Sequence, residues 1–202
     1  MHNNLDASLF TNSLQFYCSE FEIILEKIVL CYKKMKKKVV CLANDENKIR
    51  DELLLNYLKN NVIRNELGIT DYLFDREVPE DNTNGRCDIK IQTQNTFINT
   101  NDYYIIECKR LDDKKPRGNS GLNAKYIQNG IMRFVNKQYS TNNSLNGMIG
   151  FVVKPFDIPK NVNDINYLLM KKFQKSNTQN FMTNKKSFQK FRYLYLSKHK
   201  IN

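Results

Sequence analysis

Three charged side chains inside the two most strand-like stretches constrain the fold of this chain more than any other feature. The stretches are 87–92 (CDIKIQ) and 103–109 (YYIIECK), and the three are Asp88, Glu107 and Lys109, out of four charges there with Lys90. A charge within an otherwise apolar strand is costly to bury unless it is paired. An antiparallel pairing about a loop centred between Phe97 and Ile98 makes partner numbers sum to 195. Ile89 then opposes Ile106, Ile91 opposes Tyr104, and Asp88 opposes Glu107. Successive residues of a strand face opposite sides. Ile89, Ile91, Tyr104, Ile106 and Cys108 therefore share one face, and Asp88, Glu107 and Lys109 share the other. The loop alone sets that register, and the apolar pattern agrees with it.

Two carboxylates directly across a ladder have Cβ atoms about 5 Å apart and repel each other. A divalent cation between them removes the penalty, and hard Mg²⁺ prefers carboxylate oxygens and retained waters. Mn²⁺ is the natural substitute. A lysine two residues on, on the same face, can hold an attacking water or neutralise a phosphate oxygen. These parts suit metal-assisted hydrolysis of a phosphodiester. A third acid comes from the helix expected over 46–61, with Asn44 or Asp45 as its N-cap. At about 100° per residue from Ile49, Leu53, Tyr57, Leu54 and Leu58 span one arc. Glu46 falls within that arc and faces the sheet. Glu52 falls outside it and is the second choice.

The remaining segments alternate in type. Residues 14–38 carry Leu14, Phe21, Ile24, Leu25 and Ile28 at helical spacing, closed by Lys33 to Lys38. Strands are expected at 72–79, 87–92, 103–109 and 147–153, with a polar turn (DNTNGR) after the first. A helix is expected at about 122–138, another at about 161–175, and a last strand at 191–196. The expectation is one α/β domain over 1–202: a helical N-terminal extension (1–44), a core (45–153) and a basic C-terminal extension (154–202).

The stretch from Gly85 to Ile91 (GRCDIKI), with Tyr104 to Leu111 (YIIECKRL), resembles the PD-(D/E)xK nuclease superfamily, the restriction-endonuclease-like fold. The resemblance covers about 45–153 and implies an αβββαβ core with a mixed central sheet flanked by helices. It implies that Asp88 and Glu107 bind Mg²⁺, that Lys109 assists the attacking water, and that Glu46 is the optional helix glutamate. It further implies the main-chain carbonyl of Cys108 as a metal ligand. The motif's proline is replaced by Cys87. The implied activity is a Mg²⁺-dependent DNA endonuclease, with a role in restriction or anti-phage defence by analogy. The alternative is a non-catalytic DNA-binding or assembly protein that keeps the fold.

Charge distribution favours a polyanionic partner. The chain is +11, and 151–202 alone carry +9, with no acid after Asp164. The 24 lysines and 28 asparagines also match an AT-rich coding bias, so lysine content alone decides nothing. Phe173, Phe181, Phe188, Phe191, Tyr193 and Tyr195 show that the basic tail is folded, and a folded basic face favours nucleic acid. Lys171, Lys172, Lys185 and Lys186 are its candidate phosphate contacts. Lys114, Lys115 and Arg117 in the loop after the motif, and Gln128 and Arg133 on the following helix, are further DNA-binding candidates. Gly130 allows close helix–sheet approach. Glu77 is either a supporting acid or an edge charge. A homodimer is a fair expectation for double-strand cutting.

Other chemistries are excluded. The only histidines are His2 and His199, and the five cysteines form no C-x-x-C pair, so zinc cages and His-based triads have no parts. Phosphate-cradling glycine loops are missing, so no nucleotide cofactor is expected. No run approaches the roughly 18 apolar residues that span a bilayer, and the first residues lack a signal-peptide core. A cytoplasmic protein without a membrane partner is expected.

Overall fold

One helical stripe decides how the layers assemble. The computed structural model of the protein describes residues 8–38, 42–80, 85–139, 145–185 and 191–202, with side chains from residue 18 onward. Helix α1 (Ser8–Lys38) begins six residues before the expected 14, and Leu14 lies outside the described side chains. Phe21, Ile24, Ile28, Cys31 and Met35 recur every three or four residues and are buried, forming one apolar face. Lys36, Lys37 and Lys38 close the helix, where cations suit its dipole.

Of the two candidate caps, Asp45 starts α2 (Glu46–Leu53), its carboxylate accepting from the Lys48 N–H at 3.0 Å. This helix widens into a π-helical turn (Leu54–Leu58) and does not run to 61. Asn60 instead caps a separate helix, α3 (Asn61–Leu67), which ends at Gly68 with φ +60°. That φ is left-handed, the conformation that favours glycine at a helix end.

Four strands follow: β1 (Leu73–Pro79), β2 (Arg86–Gln92), β3 (Tyr103–Leu111) and β4 (Gly147–Val152). They form one mixed sheet in the order β1-β2-β3-β4, antiparallel except for the parallel β3–β4 pair. Ile89 opposes Ile106 and Ile91 opposes Tyr104, the register required by the apolar pattern. The ladder stops at Ile89, one residue before Asp88. The β3–β4 crossover runs through α4 (Leu122–Tyr126), a π-helical turn (Ile127–Ile131) and α5 (Met132–Val135). The expected helix to 138 therefore ends at Val135 and is interrupted by a wide turn.

Helices cover both faces of the sheet. On one side α1 and α2 pack with Phe74, Ile89, Ile91, Tyr104, Ile106 and Cys108. On the other, α4, α5 and α6 (Ile158–Lys171) bury Ile127, Ile131, Val135, Ile165, Leu168 and Leu169. Adjacent residues of β4 report the two sides. A Cβ on Gly147 would come within 2.9 Å of Phe21 on α1, whereas Met148 lies against Gly130 of the crossover. A Cβ at Gly130 would meet the flexible end of the Met148 side chain, so the crossover and β4 approach closely at this glycine.

The C-terminal part differs from expectation. Helix α6 starts at Ile158 and ends at Lys171, earlier at both ends than 161–175. Strand β5 (Thr178–Asn184) was not foreseen, and the last strand, β6 (Tyr195–His199), lies four residues beyond the expected 191 start. The two form a separate antiparallel ribbon. Lys186, Phe188 and part of the DNTNGR turn lie outside the described residues. Among the described residues, no helix is long and apolar enough to cross a membrane.

Candidate active site

The three strand charges and the helix acid converge on one point, and that point is the Lys109 ammonium. Nζ lies 2.7 Å from Glu107 Oε1, 3.2 Å from Glu46 Oε1 and 3.7 Å from Asp88 Oδ2. It also donates to the Cys108 carbonyl at 2.6 Å. Strand β3 supplies Glu107, Cys108 and Lys109, β2 supplies Asp88, and the first turn of α2 supplies Glu46. The α2 N-terminus is tied to β3 by a second bond, from the Arg110 N–H to Glu46 Oε2 at 2.8 Å. Glu52, the second choice, accepts instead from Asn56 on the exposed side of the helix.

Each carboxylate is held by a different partner set. Asp88 Oδ2 accepts from the Cys108 N–H at 2.7 Å, and Oδ1 accepts from Arg50 at 2.9 Å. Glu107 is fully buried. Its Oε1 accepts from Lys109 and from Arg133 at 2.9 Å, and its Oε2 accepts from the Tyr139 hydroxyl at 2.7 Å. Arg133 also donates to Tyr139.

Burial drives the electrostatics, and the neighbours then decide the sign. Burial pushes the Glu107 carboxyl above the ordinary carboxylate value and Asp88 adds to it, against Lys109 and Tyr139. Burial alone would lower Lys109, but Glu107, Asp88 and Glu46 outweigh it and hold the ammonium above the ordinary lysine value. Lys109 is thus a cation in this arrangement, a donor and not a proton acceptor. Burial, then Glu107, raises Tyr139 well above the ordinary phenol value and keeps it a donor.

Two of these partners escaped the sequence reading. Arg50 is 2% exposed and bridges Asp88, Glu77 and Asp51. Its signal was present: at about 100° from Ile49 it sits in the middle of the buried arc. Tyr139 carried no comparable signal, because it lies beyond the helix at a turn. Glu77 joins the site through Arg50, whose Nη2 donates to its Oε1 at 3.0 Å. Its backbone is left-handed (φ 49°) in mid-strand, a conformation that costs a non-glycine residue about 1–3 kcal/mol.

The proposed DNA contacts are distributed over several places. Arg133 points at Glu107. Gln128 is exposed and shares a cleft of about 440 Å³ with Lys172, Phe173 and Lys175. Lys114 and Lys115 are exposed, whereas Arg117 pairs with Asp164 and stacks on Tyr167. Lys171 is exposed, and Lys172 donates to the Arg117 carbonyl. Lys185 pairs with Glu22 of α1. Cys87 is buried against Val78 and has its thiol pushed up to about 12 by burial.

The donor set fits a hard divalent cation in kind: three carboxylates and a main-chain carbonyl, all oxygen. Among the described residues, no three His, Cys, Asp or Glu side chains close into a ready-made cage. The oxygens instead surround the ammonium of Lys109. Comparison with family models, with curated proteins and with solved structures found no match.

Proposed function

We propose that this chain is a metal-dependent endodeoxyribonuclease of restriction-endonuclease-like fold, hydrolysing phosphodiester bonds in DNA. The observation that carries the reading is the meeting of Asp88, Glu107, Glu46 and the Cys108 carbonyl around one cationic point. The same four oxygen donors would hold Mg²⁺ or Mn²⁺. When bound, such an ion polarises the phosphate and lowers the pKa of a coordinated water. The chain's own residues do the rest. Lys109, as an ammonium, orients the attacking water or neutralises a phosphate oxygen. Arg50 fixes Asp88, and Tyr139 with Arg133 fixes Glu107, so the carboxylates need little reorganisation when charge develops. Arg133, 36% exposed at its side chain, also offers its free edge to an incoming phosphate. The water oxygen bonds to phosphorus as one P–O ester bond breaks, and the leaving alkoxide takes up a proton.

One feature favours a second reading, a non-catalytic DNA-binding module. Every carboxylate at the site already has a protein cation or N–H, so the cluster is satisfied without a metal. Incubating plasmid DNA with Mg²⁺, Mn²⁺ or EDTA separates the two. Cation-dependent nicking that Asp88→Ala and Lys109→Ala both abolish, while DNA binding persists, supports the nuclease. Binding with no cleavage under any divalent ion overturns it.

A further inference from the structure

After Asp164 the chain carries nine basic residues and no acid; among the described residues Lys198 lies on β6, and Lys185, Arg192 and Lys200 flank the β5–β6 ribbon. Among the described residues, Lys185 is the one cation of this stretch that forms an ion pair, with Glu22. Arg192, Lys198 and Lys200 are exposed. A stretch without acids whose exposed cations are mostly unpaired is a footprint for a polyanion, and the acids beside it are Glu22 on Lys185 and Asp157, which lines one cleft with Arg192.

The ribbon is also shaped for a groove. It stands outside the main sheet, and most of β5 is open to solvent, including Gln179, Asn180 and Phe181, as are Leu196 and Lys198 on β6. An isolated two-stranded hairpin is marginal in water, but this one is anchored. Asn166 of α6 makes a reciprocal amide pair with the Met182 backbone (3.0 and 2.9 Å), and the Asn202 N–H donates to the Val135 carbonyl at 3.0 Å. Val135 belongs to α5, the short helix that places Arg133 on Glu107. The residues that follow the ribbon are therefore bonded to the same short helix that carries Arg133.

We propose that the β5–β6 ribbon lies in the major groove of a B-form DNA duplex. Strands about 4.8 Å apart, with their side chains, match a groove about 12 Å wide. Lys198, Lys200 and Arg192 would neutralise phosphates, and the exposed amides of Gln179 and Asn180 have the chemistry to read adenine edges. The A-form major groove of duplex RNA is too deep and narrow to admit the ribbon. The inference rests on the nuclease reading only in taking the bound duplex to be the substrate.

The test is binding of the full chain in EDTA to fluorescent duplex DNA, duplex RNA and single-stranded DNA of one sequence, across a salt series. Duplex DNA is expected to bind at least about tenfold tighter than duplex RNA. The triple variant Arg192→Ala, Lys198→Ala, Lys200→Ala is expected to flatten the log–log salt slope by about 0.9 for each phosphate no longer neutralised. Gln179→Ala with Asn180→Ala is expected to leave the slope unchanged and to reduce discrimination among duplex sequences. Circular dichroism and melting of each variant establish that it is folded. Equal binding of both duplexes, or an unaltered slope in the folded triple variant, overturns the inference. A wild-type chain that nicks plasmid while that variant binds normally removes the ribbon and leaves the nuclease. Groove binding without cleavage does the reverse.

Discussion

The charges around Lys109 and those on the β5–β6 ribbon are opposite solutions to placing ions on a protein. In the first region, the Lys109 ammonium and its carboxylates are largely withdrawn from water and meet at 2.7–3.7 Å. In the second, cations of one sign remain in solvent, most of them unpaired. Burial makes each member of the first group expensive to lose, because its partner stays behind unpaired. Solvent makes each member of the second individually weak, screened by salt, and effective only in number. Geometry is fixed in the first region and left to field strength in the second.

The contrast can be broken at its strongest point by Arg50→Ala. Removing the guanidinium leaves Asp88 and Glu77 without it, and the expected cost is about 3 kcal/mol, read as a fall in the urea midpoint. Arg50→Lys should recover only part, since an ammonium cannot hold both carboxylates in a fork. A next-largest effect concerns the centre of the cluster. Lys109→Met removes the cation that the oxygens now surround, so affinity for Mn²⁺ should rise about tenfold, about 1.4 kcal/mol, by electron paramagnetic resonance titration. An unchanged or weaker affinity would mean that lysine and metal do not compete.

A smaller effect is the pH dependence of stability that Glu107 contributes. Its pKa is raised on folding, so the native state keeps a proton that the unfolded chain has released. Its contribution is therefore present below the ordinary glutamate value of 4.5 and lost as pH rises through the native pKa. Urea midpoints of Glu107→Gln across that range should lack this part of the slope. The smallest effect belongs to the ribbon. Lys198→Ala alone should leave the urea midpoint unchanged and lower the salt slope of DNA binding by about 0.9.

The β2–β3 pairing was legible because alternation and charge placement both demanded the same register, and a slip of one residue would have buried Asp88 among isoleucines. Glu46 was legible from helical angle alone. Strand β5 was not, since TQNFMTN is polar and takes its strand conformation from pairing with β6 and from Asn166. Helix α3 was legible in principle, with Asn60 as a cap and Gly68 as a stop, but the apolar run before it concealed the break. Arg50 was visible and overlooked; Tyr139 depended on how the chain turns after α5. The family-level reading rests on Asp88, Glu107, Lys109 and Glu46, while the basic tail showed its charge without showing its shape.

The π-helical turn at Ile127–Ile131 has a consequence for how this chain can drift in sequence. A widened turn takes up one residue more than an α-helix would use between the same two ends. Gln128 and Asn129, both in that turn, are exposed. Losing either would let the turn tighten to ordinary α geometry while Tyr126 and Arg133 kept their places. Length is therefore negotiable at this point of the chain, so near relatives should differ there by single-residue gaps and be correspondingly hard to align across it.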